Sequence, residues 1–165
     1  MVAIIVTRNF RMTDEERRAL RNMEPRAMEA FMVRQGRVMV QQARKNIRTF
    51  GTKASSVWPK LSTAYAKAKR KGWTPGRGAN KYAMLRDTGY MYASLVGLVS
   101  SDGRGRVSVA LDATGTRPGG PTNADLLRYH HKGSATLPRR SPVQDMSLFE
   151  RQFAEALRLH LSGAR

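Results

Sequence analysis

Apolar side chains recur at Met28, Met32, Gly36, Met39, Ala43 and Ile47. Steps of three or four residues lay them on one face and predict a helix from about Pro25 to Phe50. Pro25 suits the first turn, where its missing N–H leaves no bond unmade. Gly51 is expected to stop the helix as its C′ residue. Gly36 puts a gap in the apolar stripe, so another element is expected to approach closely there. A methionine-rich stripe serves either as a pliable binding groove or as ordinary core, and core is the expectation. Arg34, Arg37, Arg44, Lys45 and Arg48 fall off the stripe.

The flanking patterns are shorter. Val2, Ile4, Ile5, Val6 and Thr7 suit a strand by their β-branched content. Thr13-Asp14-Glu15-Glu16 has the spacing of a capping box and predicts a helix to about Met23. A short basic helix is expected from Ala64 to Lys71, capped by Ser62 or Thr63. Residues 72–80 carry Gly72, Pro75, Gly76 and Gly78, which is loop chemistry, and are expected to be mobile in the free chain. Tyr90 to Leu95 reads as a short helix or a strand. Leu95–Ser100 and Arg106–Asp112 flank a Gly-containing turn and predict a β-hairpin. A Gly/Pro-rich loop spans 113–121. Thr122 or Asn123 caps a helix from Ala124 to His131 that Gly133 ends. Residues 137–142 are expected to run extended, since each proline biases its predecessor out of the helix. A last helix is expected from about Pro142 to Ser162, with Met146, Phe149, Phe153, Leu157 and His160/Leu161 as its apolar face. This order is an α+β pattern: long N-terminal helices and a C-terminal helix packed on a small antiparallel sheet. The 165 residues suit a single domain, with a basic flexible arm at about 51–83.

Charge sharpens this picture. Thirty Lys and Arg against 12 Asp and Glu leave +18, and no acidic residue lies between Glu29 and Asp87. That interval holds 14 of the basic residues, including Arg44, Lys45, Arg48, Lys53, Lys67, Lys69, Arg70, Lys71, Arg77 and Lys81. So one-sided a field repels itself, and a polyanion or an acidic protein face relieves it. These ten are the candidate interface or DNA-facing residues. Trp58, Tyr65, Trp73 and Tyr82 add aromatic faces on which single-stranded bases stack. No fingerprint of a sequence-specific nucleic-acid module accompanies them, so such binding would be phosphate-led and salt-sensitive. No apolar run reaches the length of a membrane span, and Met1 to Val6 is too short for a signal peptide before Arg8 interrupts it. The chain has no cysteine, which excludes disulfides and thiolate metal sites and fits a reducing cytoplasm.

Catalytic and metal chemistry finds little purchase. His130 and His131 are adjacent and diverge by about 100° on a helix, so they do not face one metal. Asp102, Asp112, Asp125 and Asp145 give no paired-carboxylate spacing. Gly76-Arg77-Gly78 lacks the spacing of a phosphate-binding loop. No catalytic residue, metal ligand or cofactor is assigned.

Several positions resemble a known family in order and spacing. They are Trp58, Leu61, Ser62 and Thr63; then Leu85, Thr88, Gly89 and Ser94; then His130 and Gly133; then Pro138, Arg139 and Arg140. Over about residues 25–162 the chain resembles the tail-completion (virion morphogenesis) proteins of long-tailed bacteriophages, which sit at the neck between head and tail. The doubled histidine departs from the family's single one. The resemblance implies a structural virion protein without catalysis, made in the host bacterial cytoplasm. It implies a homo-oligomeric ring, by likeness a hexamer, that contacts the head–tail connector or stopper and the tail terminator or tail tube, with genomic DNA passing through. It gives Trp58 the role of anchoring the arm, in the core or on a neighbour. It makes Thr88-Gly89 a turn, and runs residues 138–140 extended beside the sheet, pairing with an edge strand. The alternatives are a basic nucleic-acid-binding protein without sequence preference, and another neck ring such as a tail terminator or connector adaptor.

Overall fold

The computed structural model describes residues 4–6, 13–52, 58–70, 90–101, 107–116, 119–134 and 137–162. Its elements run β1 (Ile4–Val6), α1 (Asp14–Asn22), α2 (Pro25–Thr52), α3 (Thr63–Arg70), α4 (Tyr90–Ala93), β2 (Leu95–Ser101), β3 (Val107–Ala113), α5 (Asn123–Lys132) and α6 (Ser147–Leu161). The fold is α+β. Among the described residues its sheet is antiparallel and three-stranded in the order β1-β3-β2.

The sheet owes its packing to the register of β2 on β3. Leu95 pairs with Ala113, Gly97 with Leu111 and Val99 with Val109, and β1 adds Ile4 opposite Leu111. Alternate residues share a face, so these positions line one side of the sheet, and α2 packs across β2. The contact centres on two glycines. A Cβ added at Gly36 would land on the carbonyl oxygen of Gly97, and one added at Gly97 would land on that of Gly36. The gap in the stripe is therefore a close backbone approach between helix and sheet. Met32, Met39, Ala43 and Ile47 are buried around it, so the methionine stripe is core. The helix spans about 42 Å at 1.5 Å per residue. It continues through Gly51 to Thr52, which corrects Gly51 as its stop, since glycine adopts the right-handed helical conformation as readily as the left-handed cap.

α6 closes the core from the other side. Phe153 meets Phe31 edge-on at 5.5 Å and Phe149 at 6.0 Å between ring centroids. Phe149, Phe153 and Leu157 are buried, whereas His160 is exposed with its ring 5.8 Å from Phe31. The helix begins at Ser147, not near Pro142. Asn46 explains the delay: its Nδ2 donates to the Pro142 oxygen at 2.8 Å and the Asp145 oxygen at 2.6 Å. The segment is thereby held in a turn, with Gln144 N donating to Ser141 O. Gln42 Nε2 donates to Asn46 Oδ1 at 2.7 Å and fixes the amide. Both side chains are buried beside the apolar stripe, so α2 carries a polar seam that fixes where α6 starts.

The capping box forms as expected. Thr13 Oγ1 accepts from Glu16 N, and Glu16 Oε2 accepts from Thr13 N at 2.8 Å. Glu16 also accepts from Arg158 Nε at 2.9 Å, which ties α1 to α6. The Thr13 backbone bond first, and then Arg158, hold the Glu16 carboxyl below its ordinary pKa against the opposing cost of burial. A carboxylate depressed in the folded chain adds stability above its unfolded pKa and loses it as pH falls through the folded value. Glu16→Gln is therefore expected to reduce the drop in melting temperature between about pH 5 and pH 3. Parallel melting curves for the two proteins across that window would refute it.

Candidate functional site

Segments far apart in sequence meet behind α5. Trp58 is 2 % exposed and belongs to the main core. It stands five residues before α3, whose start is capped by Ser62: its carbonyl accepts from Ala66 N at 2.8 Å and its Oγ from Tyr65 N at 3.3 Å. Leu61 is half-buried against the same core. Between them, the carbonyls of Pro59 and Lys60 are taken by Arg140, with Nε donating to Pro59 at 3.0 Å and Nη2 to Lys60 at 3.1 Å. The planar guanidinium suits two adjacent carbonyls. Arg140 is 5 % exposed, and this burial lowers its pKa from the ordinary guanidinium value.

Arg140 is itself placed by the end of α5. Gly133 closes that helix at φ +73°, its N donating to Tyr129 O at 2.8 Å. A Cβ there would meet Arg139 N at 2.9 Å and Leu137 O at 3.1 Å, so only glycine lets the chain double back. Ser134 N donates to Leu137 O, and Arg140 N to His130 O, each under 3 Å: 2.7 and 2.8 Å. Residues 138–140 therefore run against the C-terminal end of α5 rather than along an edge strand, because the His130 carbonyl left open at the helix end takes the Arg140 N–H. Within the pair Arg139-Arg140, Arg139 is exposed and Arg140 carries the contacts.

His131 Nδ1 lies 2.7 Å from Ser141 Oγ. Burial, then the neighbouring Arg139 and Lys132 charges, push its pKa down and favour the neutral imidazole. The pair has the atoms of a nucleophile and its base. Ser141, however, is fully buried and its Oγ also accepts from Val143 N at 3.3 Å, which gives a substrate no approach to the oxygen. The bond instead joins α5 to the turn before α6. Among the described residues no three His, Asp or Glu side chains gather as a metal site, and no helix is long and apolar enough to cross a membrane.

Ser94 acts elsewhere. Its Oγ donates to Met91 O at 3.2 Å, and its carbonyl accepts from Thr114 N at 3.1 Å, which ties the start of β2 to the end of β3. Leu85, Thr88 and Gly89 lie outside the described residues, as do Lys53, Lys71, Arg77 and Lys81 and most of the arm predicted at 51–83. Of the arm's described residues, 51 and 52 end α2, 58–70 are anchored at Trp58, and Lys69 and Arg70 lie in the last turn of α3.

The basic candidates on α2 divide in two. Arg44 is committed within the fold. Its guanidinium donates to the Tyr92 and Ala93 carbonyls at 3.3 and 2.9 Å and lies over the Tyr92 ring at 5.6 Å, so it closes the end of α4. Arg34, Arg37, Lys45 and Arg48 are exposed. Lys67 is exposed on α3. Sequence reasoning missed Asn46, whose polar position beside the stripe was the one available signal. Compared with family models, curated proteins and solved structures, the chain matches none of them.

Proposed function

We propose that this chain is a structural protein of a tailed-phage virion, a tail-completion or head–tail joining component that forms a ring at the neck between connector and tail tube. The observation that carries the reading is the joint just described. Positions singled out by the family pattern, Trp58, Leu61, His130, Gly133 and the Arg139-Arg140 pair, come from segments about 70 residues apart and meet at the foot of one arm. A hydrogen-bonded joint of this kind suits docking onto neighbouring copies and rings by surface complementarity. In this reading the protein has no catalytic role.

Native mass and sedimentation at low and high salt, with and without duplex DNA, test the reading. The expected result is a discrete closed oligomer that persists in high salt without DNA. A chain that stays monomeric in high salt at every concentration, and fails to close into a ring with its connector or tail-tube neighbours, overturns it. The exposed cations of α2 favour the second reading, a basic nucleic-acid binder, and a monomer that shifts only with DNA and releases it in salt would support that one.

A further inference from the structure

The solvent face of α2 carries a feature that ring assembly does not require. At about 100° per residue, Arg34, Arg37, Gln41, Lys45 and Arg48 fall within roughly 80° of one another, diametrically opposite the buried stripe of Met32, Gly36, Met39, Ala43 and Ile47. All five are exposed. From Arg34 to Arg48 the rail runs for about 21 Å along a straight helix. No acidic residue lies on α2 beyond Glu29. Among the described residues Arg34, Arg37 and Lys45 have no carboxylate partner, whereas Arg17, Arg128 and Arg158 are each paired with one.

We infer that this rail binds the phosphate backbone of duplex DNA without reading its sequence. The alternative partner for a cationic face is an acidic protein. A stable protein interface has a desolvated apolar or aromatic centre that supplies most of its energy. The rail has none, since its middle position is Gln41 and its other members are cations. A phosphate backbone needs only cations: each contact releases condensed counterions, and that release supplies non-specific affinity. A length of about 21 Å faces roughly six phosphates on each strand at 3.4 Å rise, more than enough for four cations. Net charge acts in the same direction, because each copy carries +18 and a polyanion relieves the repulsion between copies. The inference goes beyond the proposed place in the virion and holds for a monomer or a ring alike.

The test compares two triple variants of the full chain that remove the same net charge. R34Q/R37Q/K45Q removes three of the rail's four cations. R18Q/R21Q/R151Q removes three exposed arginines from α1 and α6. Glutamine keeps nearly the helix propensity of Arg and Lys, so both are expected to fold, which circular dichroism checks. Binding to a labelled mixed-sequence duplex is followed by anisotropy from about 50 to 200 mM salt. The unmodified chain is expected to bind with a steep salt dependence. The rail variant should flatten the slope of log K against log salt by about 2.7, at about 0.9 per lost phosphate contact, and the control by less than about one. Equal flattening in the two variants, an unaltered slope in the rail variant, or no duplex binding by the unmodified chain overturns the inference. So does binding of polyglutamate as tight as that of DNA.

Discussion

Trp58→Ala is expected to lower stability by about 3–5 kcal/mol. For a chain of 165 residues, each kcal/mol shifts the melting temperature by about 2–4 °C, so a fall of roughly 6–20 °C is expected. The indole is among the largest fully buried side chains and sits in the main core with Ile47 and Leu127. Its removal deletes the apolar burial of a whole aromatic group and leaves a cavity that the surrounding helices fill only in part. The effect is expected to spread along the chain. Pro59 and Lys60 follow directly, and their carbonyls are the acceptors of the Arg140 guanidinium. When Trp58 leaves the core, those carbonyls no longer hold their place, and Arg140 becomes a buried cation with poorer partners. Truncating Arg140 alone removes the donor that both carbonyls share. The two losses overlap, so W58A combined with R140M should cost less than the sum of the single variants, by about 0.5–3 kcal/mol. Thermal or urea denaturation of the four proteins measures the cycle. Strict additivity would separate the Arg140 clamp from the Trp58 anchor. An unchanged melting temperature in W58A would remove Trp58 from the core altogether and leave it as a docking residue for another chain.

The residues legible in the sequence are those whose partners lie within one turn or one face. Thr13 and Glu16 satisfy each other across three positions, so the capping box appears in the sequence as it does in the fold. The stripe from Met28 to Ile47 repeats at the helical period, and the β2–β3 hairpin is read from two apolar runs around a turn. Gly36 also announced a close approach, because a missing side chain within an apolar face has few other uses. The identity of its partner was not legible, since Gly97 lies 61 positions away in a strand with no period in common. The same holds for Asn46, which delays α6 through carbonyls 96 and 99 positions distant. Backbone carbonyls are present at every position and leave no mark in a sequence. Of Arg139 and Arg140 the sequence shows two equal cations. Only the reversal of the chain at Gly133 decides which one turns inward. The candidate site was thus legible as a set of positions and illegible as a joint. The rail of α2 was legible as charge, but its division into a committed Arg44 and an exposed Arg34, Arg37, Lys45 and Arg48 depends on where α4 ends.

Gly36→Ala separates local from tertiary control more sharply than any other single change. Within an isolated helix, alanine in place of glycine stabilises by about 1 kcal/mol. In this fold the same methyl group would lie on the Gly97 carbonyl oxygen and 3.1 Å from its carbon. Both obstructing atoms belong to the backbone of a strand paired with β3, so no side-chain rotation removes the clash. α2 and β2 must move apart. The seam that opens runs along Met32, Met39, Ala43 and Leu111, all buried, so dispersion contacts are lost over several turns. Overpacking costs about 1–3 kcal/mol, and a contact of backbone on backbone falls at the upper end of that range, so the helix gain of about 1 kcal/mol is outweighed and a net loss of up to about 2 kcal/mol is expected. Gly97→Ala meets the reciprocal obstruction at the Gly36 carbonyl, with its carbon at 2.9 Å, and lacks any compensating helix propensity. It is expected to cost more than Gly36→Ala, by roughly the 1 kcal/mol that propensity returns to the helix position. Gly119→Ala is the comparison: that glycine has no atom within 4 Å of an added Cβ, and its φ of +67° leaves backbone strain as the only penalty. Denaturation of the three variants should rank Gly97→Ala as the most costly and Gly36→Ala next. A stabilised Gly36→Ala would mean that helix and sheet do not meet at these two glycines. The β2 register that places Gly97 beneath the helix would then have to be redrawn by one residue, which would turn Val96 and Leu98 toward the core.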